Sequence, residues 1–267
     1  MEKNKYTARY FHDQLPEWKR KKDPITSRYF YRPLSFYGAS FCARLGIDAN
    51  TVSYISCIVA VIASVLFIAQ NHVCNIIAAV LVNVWLWMDC IDGNLARCVK
   101  KQPFGEYADA LAGYMLLSFL FFSMGWAVYG EGGLFFEAGN PWIFFIGALT
   151  SILDPLMRLI YQKYNAEQVR LVEMGVMPNE TNIVRDHSQI GNWKMTVRQL
   201  VGIGGLLPLI IFLCAIFKVL DLAILFGFVC NLLTFVYSLL SYTRKAIKNS
   251  YKYQDEFEKK MESSQNS

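Results

Sequence analysis

The chain has 267 residues, 54% of them hydrophobic, with a formal net charge of +5 and a mean hydropathy of +0.28. It is too apolar for an ordinary soluble domain of this length, and the apolar residues come in blocks. No soluble module carries a basic face interleaved with aromatics, so the positive charge does not point to nucleic acid.

Residues 1–24 form a charged arm containing Pro16 and Pro24. Residues 26–45, TSRYFYRPLSFYGASFCARL, alternate aromatics with Arg28, Arg32 and Arg44. That composition suits an N-terminal interfacial helix, aromatics in lipid and arginines near phosphates, which Pro33 starts or interrupts. A plain cytoplasmic cap on a helical bundle fits the same residues. Six apolar blocks follow, at about 51–70, 74–91, 108–129, 140–161, 197–217 and 220–242. Each approaches the ~20 residues that cross a hydrocarbon core, and within them neither helical nor strand periodicity dominates. The expected fold is therefore an all-α polytopic membrane protein with six transmembrane helices. It divides into an arm with an interfacial helix over 1–50, a transmembrane domain over 51–242 and a tail over 243–267. The polar stretch 162–196 reads as a loop with a short helix near 165–174, and the tail reads as a helix fraying into disorder.

Charge sets the expected orientation. The first 50 residues carry ten Lys/Arg against five acidic residues, and they lack the early apolar stretch of a signal peptide. Lys163, Arg170, Arg185 and Lys194 lie in 162–196, and Arg244, Lys245, Lys248 and Lys252 open the tail. By contrast, 130–139 (GEGGLFFEAG) has two Glu and no basic residue. The positive-inside rule places both termini in the cytoplasm, and an even number of crossings agrees. The excess charge then reports topology and contact with anionic membrane lipids. Short outer loops and the absence of an organelle address point to a bacterial cytoplasmic membrane. The seven cysteines are odd in number, form no CxxC and fall mostly in apolar segments, as small hydrophobic thiols do. His12, His72 and His187 are scattered, so neighbours in sequence build no His/Cys metal site.

The chemistry concentrates between Met88 and Tyr114, MDCIDGNLARCVKKQPFGEYADALAGY. On a helix, Asp89 and Asp92 stand three apart, and Gly93 and Arg97 continue the row, so all four share a face. Ala96 lies one turn beyond Asp92. Pro103 marks a turn, after which Gly105, Asp109 and Gly113 form a row at intervals of four. Asp109 is thus placed to meet Asp89 and Asp92 across a helical hairpin. Three uncompensated carboxylates repel one another, and a hard divalent cation removes that penalty. Mg²⁺ prefers a few carboxylates plus water and phosphate oxygens, which suggests a diphosphate partner with Arg97 as a further cation. A helix-end salt-bridge cluster of Asp92, Arg97, Lys100 and Lys101 is the structural alternative.

This stretch resembles the signature of the CDP-alcohol phosphotransferase family of membrane enzymes, D-x2-D-G-x2-A-R, about eight residues, then G-x3-D-x3-D. Asp89, Asp92, Gly93, Ala96, Arg97, Gly105 and Asp109 match it in order. Upstream, Arg32-Pro33-Leu34-Ser35 and Ala49-Asn50-Thr51-Val52-Ser53 are similar to flanking segments of family members. The resemblance implies transfer of a phosphoalcohol group from a CDP-alcohol donor to an acceptor alcohol (lipid, polyol or glycan) with release of CMP. It also implies Mg²⁺ or Mn²⁺ on Asp89, Asp92 and Asp109, and a donor pocket shaped by Asn50, Gly93, Ala96, Arg97 and Gly105. A homodimer is implied as well.

Two departures matter. The linker Cys98–Phe104 has seven residues, and the family's fourth aspartate, its usual general base, is Gly113 here. The sequence therefore names no catalytic base. Glu106, Asp154 with Arg158 four residues on, and His187 are the substitutes it offers. A loose phosphoryl-transfer transition state that needs no strong base is a second explanation. A catalytically impaired homologue, binding a CDP-alcohol or acting as a scaffold, is the third.

Overall fold

The computed structural model describes residues 5–178 and 202–265. Among these the chain is helical, with no strand. Two short helices, α1 (Ala8–Asp13) and α2 (Glu17–Lys22), make up the arm; a π-helical turn, Ser27–Tyr31, leads into α3 (Arg32–Leu45). The long helices are α4 (Ala49–Ile68), α5 (His72–Cys98), α6 (Gly105–Glu131) and α7 (Pro141–Glu173). After residues outside the described set come α8 (Leu207–Ile216), α9 (Leu220–Lys252) and α10 (Gln254–Gln265).

Local chemistry sets the boundaries. Pro33 sits in the first turn of α3, where its missing N–H costs nothing, and Gly46 ends that helix at φ +78°. The Asp48 carboxylate caps α4 by accepting from the Thr51 N–H at 2.8 Å. Asn71 and Asn140 cap α5 and α7 in the same way, the second followed by Pro141.

α4, α5, α6, α7 and α9 are each long and apolar enough to cross a membrane. The chain is thus an all-helical polytopic membrane protein. The sixth expected span, 197–217, begins outside the described residues; its described part is α8, whose ten residues are too few to cross alone. The stretch from 162, expected to be a loop with a short helix near 165–174, is helical as far as Glu173, and that helix is the continuation of α7 rather than a separate element. The tail is helical as well, with α9 reaching Lys252 and α10 following.

α4 wedges between α5 and α6, which scarcely touch each other; α7 packs on α6, α9 on α7, and α8 on α5. The main core runs through Phe67, Val82, Leu86, Leu116, Leu120, Phe121, Met124, Ile143, Ile211 and Ile224. A second core ties the arm to the bundle: Phe11, fully buried, sits with Phe36, Ala39, Val52, Ile91 and Leu95. Phe30, just before α3, and Leu34, Tyr37, Phe41 and Leu45 along it stay exposed, while Arg32, Ser35, Phe36 and Ala39 turn inward. The aromatic side of this helix is as expected, but Arg32 is buried against Asp23 at 2.9 Å rather than exposed.

α6 and α7 approach closely at two glycines. A Cβ on Gly147 would lie 2.4 Å from the Phe121 carbonyl oxygen, and one on Gly125 would lie 3.1 Å from that of Ile143. At the same end of the bundle as the 132–140 connection, Asp221 is fully buried and accepts from the N–H groups of Phe135 (2.6 Å) and Phe136 (3.3 Å). This fixes the 132–140 connection onto the start of α9. We expect Gly147→Ala to destabilise the fold by about 1–3 kcal/mol, because the clash is with backbone. Gly113→Ala, which meets nothing within 4 Å, should leave the melting temperature in detergent unchanged or raise it. Equal melting temperatures for Gly147→Ala and wild type would contradict this packing.

Candidate active site

The splay between α5 and α6 leaves a cavity of about 240 Å³ at one end of the bundle. α5 supplies Asp89, Asp92, Gly93, Ala96 and Arg97; α6 supplies Gly105, Glu106 and Asp109; the start of α4 supplies Asn50 and Ser53. All eight residues singled out from the sequence, Asn50, Asp89, Asp92, Gly93, Ala96, Arg97, Gly105 and Asp109, line this single space. Lys19 and Lys101 join its wall.

The three aspartates converge. One carboxylate oxygen from each of Asp89, Asp92 and Asp109 lies within 4.8 Å of the other two. They form a gradient of exposure, Asp92 buried, Asp89 partly so and Asp109 open. An all-oxygen set of this kind fits a hard divalent cation that keeps open positions for water or phosphate. Among the described residues Arg97 is hydrogen-bonded to Asn94 rather than to any of the three carboxylates.

The surroundings hold this set in place. Ser53, buried on α4, donates to Asp92 Oδ2 at 2.6 Å. Arg97 folds back over Gly93, its guanidinium nitrogens 3.0 and 3.2 Å from where a Cβ would be. It donates to Asn94 Oδ1 at 3.0 Å, and Asn94 in turn donates to Ser35 Oγ at 2.9 Å, locking α5 to α3. Asn50 clips the turn between α5 and α6: its Nδ2 donates to the Pro103 carbonyl at 3.0 Å, and its backbone N–H to Gln102 Oε1 at 3.2 Å. Its Oδ1 would stand 3.4 Å from a Cβ on Gly105, so this side of the pocket is a close fit. Lys19 approaches from the arm. Burial, with Arg97 and Arg32 nearby, holds its ammonium down to about 8.

The substitutes offered for the base are distributed unevenly. Glu106 lines the cavity. Asp154 is paired with Arg158 at 2.6 Å on α7 and is not part of the cavity wall, while the Arg158 guanidinium lies 5.7 Å from the Tyr114 ring centre. His187 lies outside the described residues. Gly113 faces open space.

Sequence reasoning missed Ser53 and Lys19. Ser53 had a signal, since it stands one turn from Asn50 on the helix that faces the signature. Lys19 had none, because nothing local in a charged arm says where it folds.

The fold and the site define a polytopic helical membrane protein with three carboxylates gathered in a cavity at one end of its bundle. Residues 47–226 match the CDP-alcohol phosphatidyltransferase family, and the chain belongs to it. This is a transferase family whose members use a CDP-alcohol donor, an alcohol acceptor and a divalent metal to move a phosphoalcohol group in lipid synthesis. No curated protein matches the chain.

We expect Ser53→Ala to weaken Mn²⁺ binding by roughly tenfold, since partners that orient a ligating carboxylate typically matter at that level. Calorimetry or Mn²⁺ electron paramagnetic resonance on the purified protein reads it. Unchanged affinity would mean that the Ser53–Asp92 bond does not order the cluster.

Proposed function

We propose that this protein transfers a substituted phosphate from a CDP-alcohol to a hydroxyl acceptor, releasing CMP, with Mg²⁺ or Mn²⁺ held by Asp89, Asp92 and Asp109. The observation that carries this reading is the convergence of those three carboxylates in one cavity with a cationic rim. In the reaction the acceptor hydroxyl oxygen attacks the β-phosphorus and forms the new P–O bond. The bond from the β-phosphorus to the bridging oxygen breaks, and CMP leaves with that electron pair. When bound, the metal would offset charge on the diphosphate and make CMP a better leaving group. Arg97 and Lys101 add fixed positive charge at the rim, and Asn50, Gly93, Ala96 and Gly105 shape the space for the donor.

The acceptor proton has to go to a base. We assign that role to Glu106, among the described residues the one acidic wall residue of the cavity outside the metal set. Asp154 is engaged by Arg158 and lies away from the cavity. A second reading, binding without turnover, draws its support from Gly113 alone.

The same reading places both termini on the cytoplasmic side of a bacterial membrane. The arm, the cavity and the basic stretch of α9 all lie at one end of the bundle, as Tyr10 bonded to the Cys98 carbonyl and Asn249 bonded to Tyr164 indicate. We carry the homodimer over from the family.

The test is to incubate purified protein with a panel of CDP-alcohols, acceptor alcohols and Mg²⁺ or Mn²⁺, and to follow CMP. Release that falls at least a hundredfold in Asp92→Asn and Asp109→Asn supports transfer. Glu106→Gln should lower kcat by about 10²-fold with little effect on KM, while Asp154→Asn should leave kcat within a few-fold. Metal-dependent CDP-alcohol binding with no CMP from any pair would establish the second reading instead.

A further inference from the structure

The family match begins at residue 47, so the N-terminal arm lies outside it, yet the arm puts a side chain into the cavity wall. Its placement is anchored on both sides of Lys19. Upstream, Phe11 is fully buried among Phe36, Ile91 and Leu95. Tyr10 donates its hydroxyl proton to the Cys98 carbonyl at 2.9 Å, where α5 ends, and Ser40 Oγ donates to the Tyr6 carbonyl at 2.6 Å. Between these contacts and α2, Arg20 donates back to the carbonyls of His12 (2.7 Å) and Leu15 (3.1 Å), folding the connection tight. Downstream, the Asp23–Arg32 pair closes at 2.9 Å with side chains only 11% and 8% exposed. A six-residue helix held between two buried attachments leaves its Lys19 side chain little choice of direction.

The charge layout gives that direction a meaning. The cavity has carboxylates from α5 and α6 on one part of its wall and cations on another: Lys19 from the arm, Arg97 from α5 and Lys101 from the turn. A divalent cation held by the carboxylates and a lysine ammonium are complementary to the same ligand, a diphosphate, whose oxygens would coordinate the one and accept from the other.

We propose that the arm is the closing wall of the donor pocket and that Lys19 binds the diphosphate of the incoming CDP-alcohol. The inference rests on the donor reading above. It adds a binding residue from a segment that the family domain does not contain, and it makes donor affinity depend on arm docking. Lys19 thus contacts the donor directly, while Phe11 and the Asp23–Arg32 pair position it.

The experiment has two parts, both on the full chain in detergent or nanodiscs with Mg²⁺. First, CDP and CMP affinities are compared across variants. Lys19→Gln should weaken CDP by about tenfold or more and CMP by less, whereas Lys19→Arg should retain most of the affinity. Phe11→Ala, which removes the anchor, should reproduce the Lys19→Gln loss. Arg9→Gln, the same charge change at a side chain 91% exposed on the same arm, should bind as wild type. Second, reductive methylation followed by peptide mass spectrometry should show Lys19 protected by inorganic pyrophosphate, with Lys248 as the unprotected reference. CDP binding by Lys19→Gln equal to wild type, or equal Lys19 labelling with and without pyrophosphate, overturns the proposal. The second part does not involve a nucleoside or turnover. A wild-type protein that releases no CMP yet protects Lys19 with pyrophosphate would refute the transfer reading and still support a diphosphate site closed by the arm.

Discussion

Mutual repulsion among Asp89, Asp92 and Asp109 is the constraint on which the other features of the site depend. At separations under 4.8 Å each pair of charges opposes the fold, and Asp92 adds the cost of leaving water. Such a cluster persists only if the backbone forces it together and something in the functional state neutralises it. The backbone part is visible: α4 is wedged between α5 and α6 and donates Ser53 to Asp92, while Asn50 ties down the turn that brings Asp109 round. Neutralisation is the part a divalent cation and the surrounding Lys and Arg side chains can supply.

Much of this was legible in the sequence because it is local. Spacing of three and four residues puts Asp89, Asp92, Gly93 and Arg97 on one face whatever the tertiary structure, and the second row from Gly105 follows the same rule. The spans were legible because twenty apolar residues have few other fates. What was not legible depends on distant partners. Lys19 reaches the cavity only because Phe11 is buried some eighty residues away in sequence, against Ile91 and Leu95. Arg32, which composition assigned to the interface, goes inward because Asp23 is brought to it by the same docking. The helical continuation of α7 past residue 162 was obscured because its charged residues look like loop until α9 and Tyr164–Asn249 give them a surface to lie on.

The arm and the transmembrane helices therefore make one unit at this end of the molecule. Arg97 bonds to Asn94, Asn94 to Ser35, and Ser35 to the Arg32 carbonyl, so the guanidinium at the cavity rim is connected through buried groups to the helix that carries the arm. Moving the arm would disturb Lys19 directly and Arg97 through this chain of hydrogen bonds. The two cations share a scaffold although only one of them belongs to the family domain.

Glycines separate the packing requirements of this protein from its chemical ones. Gly147 is compelled, since a Cβ there would run into the backbone of α6. At Gly93 a Cβ would meet the end of the flexible Arg97 side chain rather than backbone, so that glycine is less constrained. Gly113 is different: a Cβ there would meet nothing within 4 Å, so no steric rule forbids a larger side chain. The open space beside α6 therefore follows from the missing side chain rather than dictating it. In the reaction we propose, the proton acceptor stands at another position, and Glu106, one turn before Asp109 on the cavity wall, is the residue we assign to it.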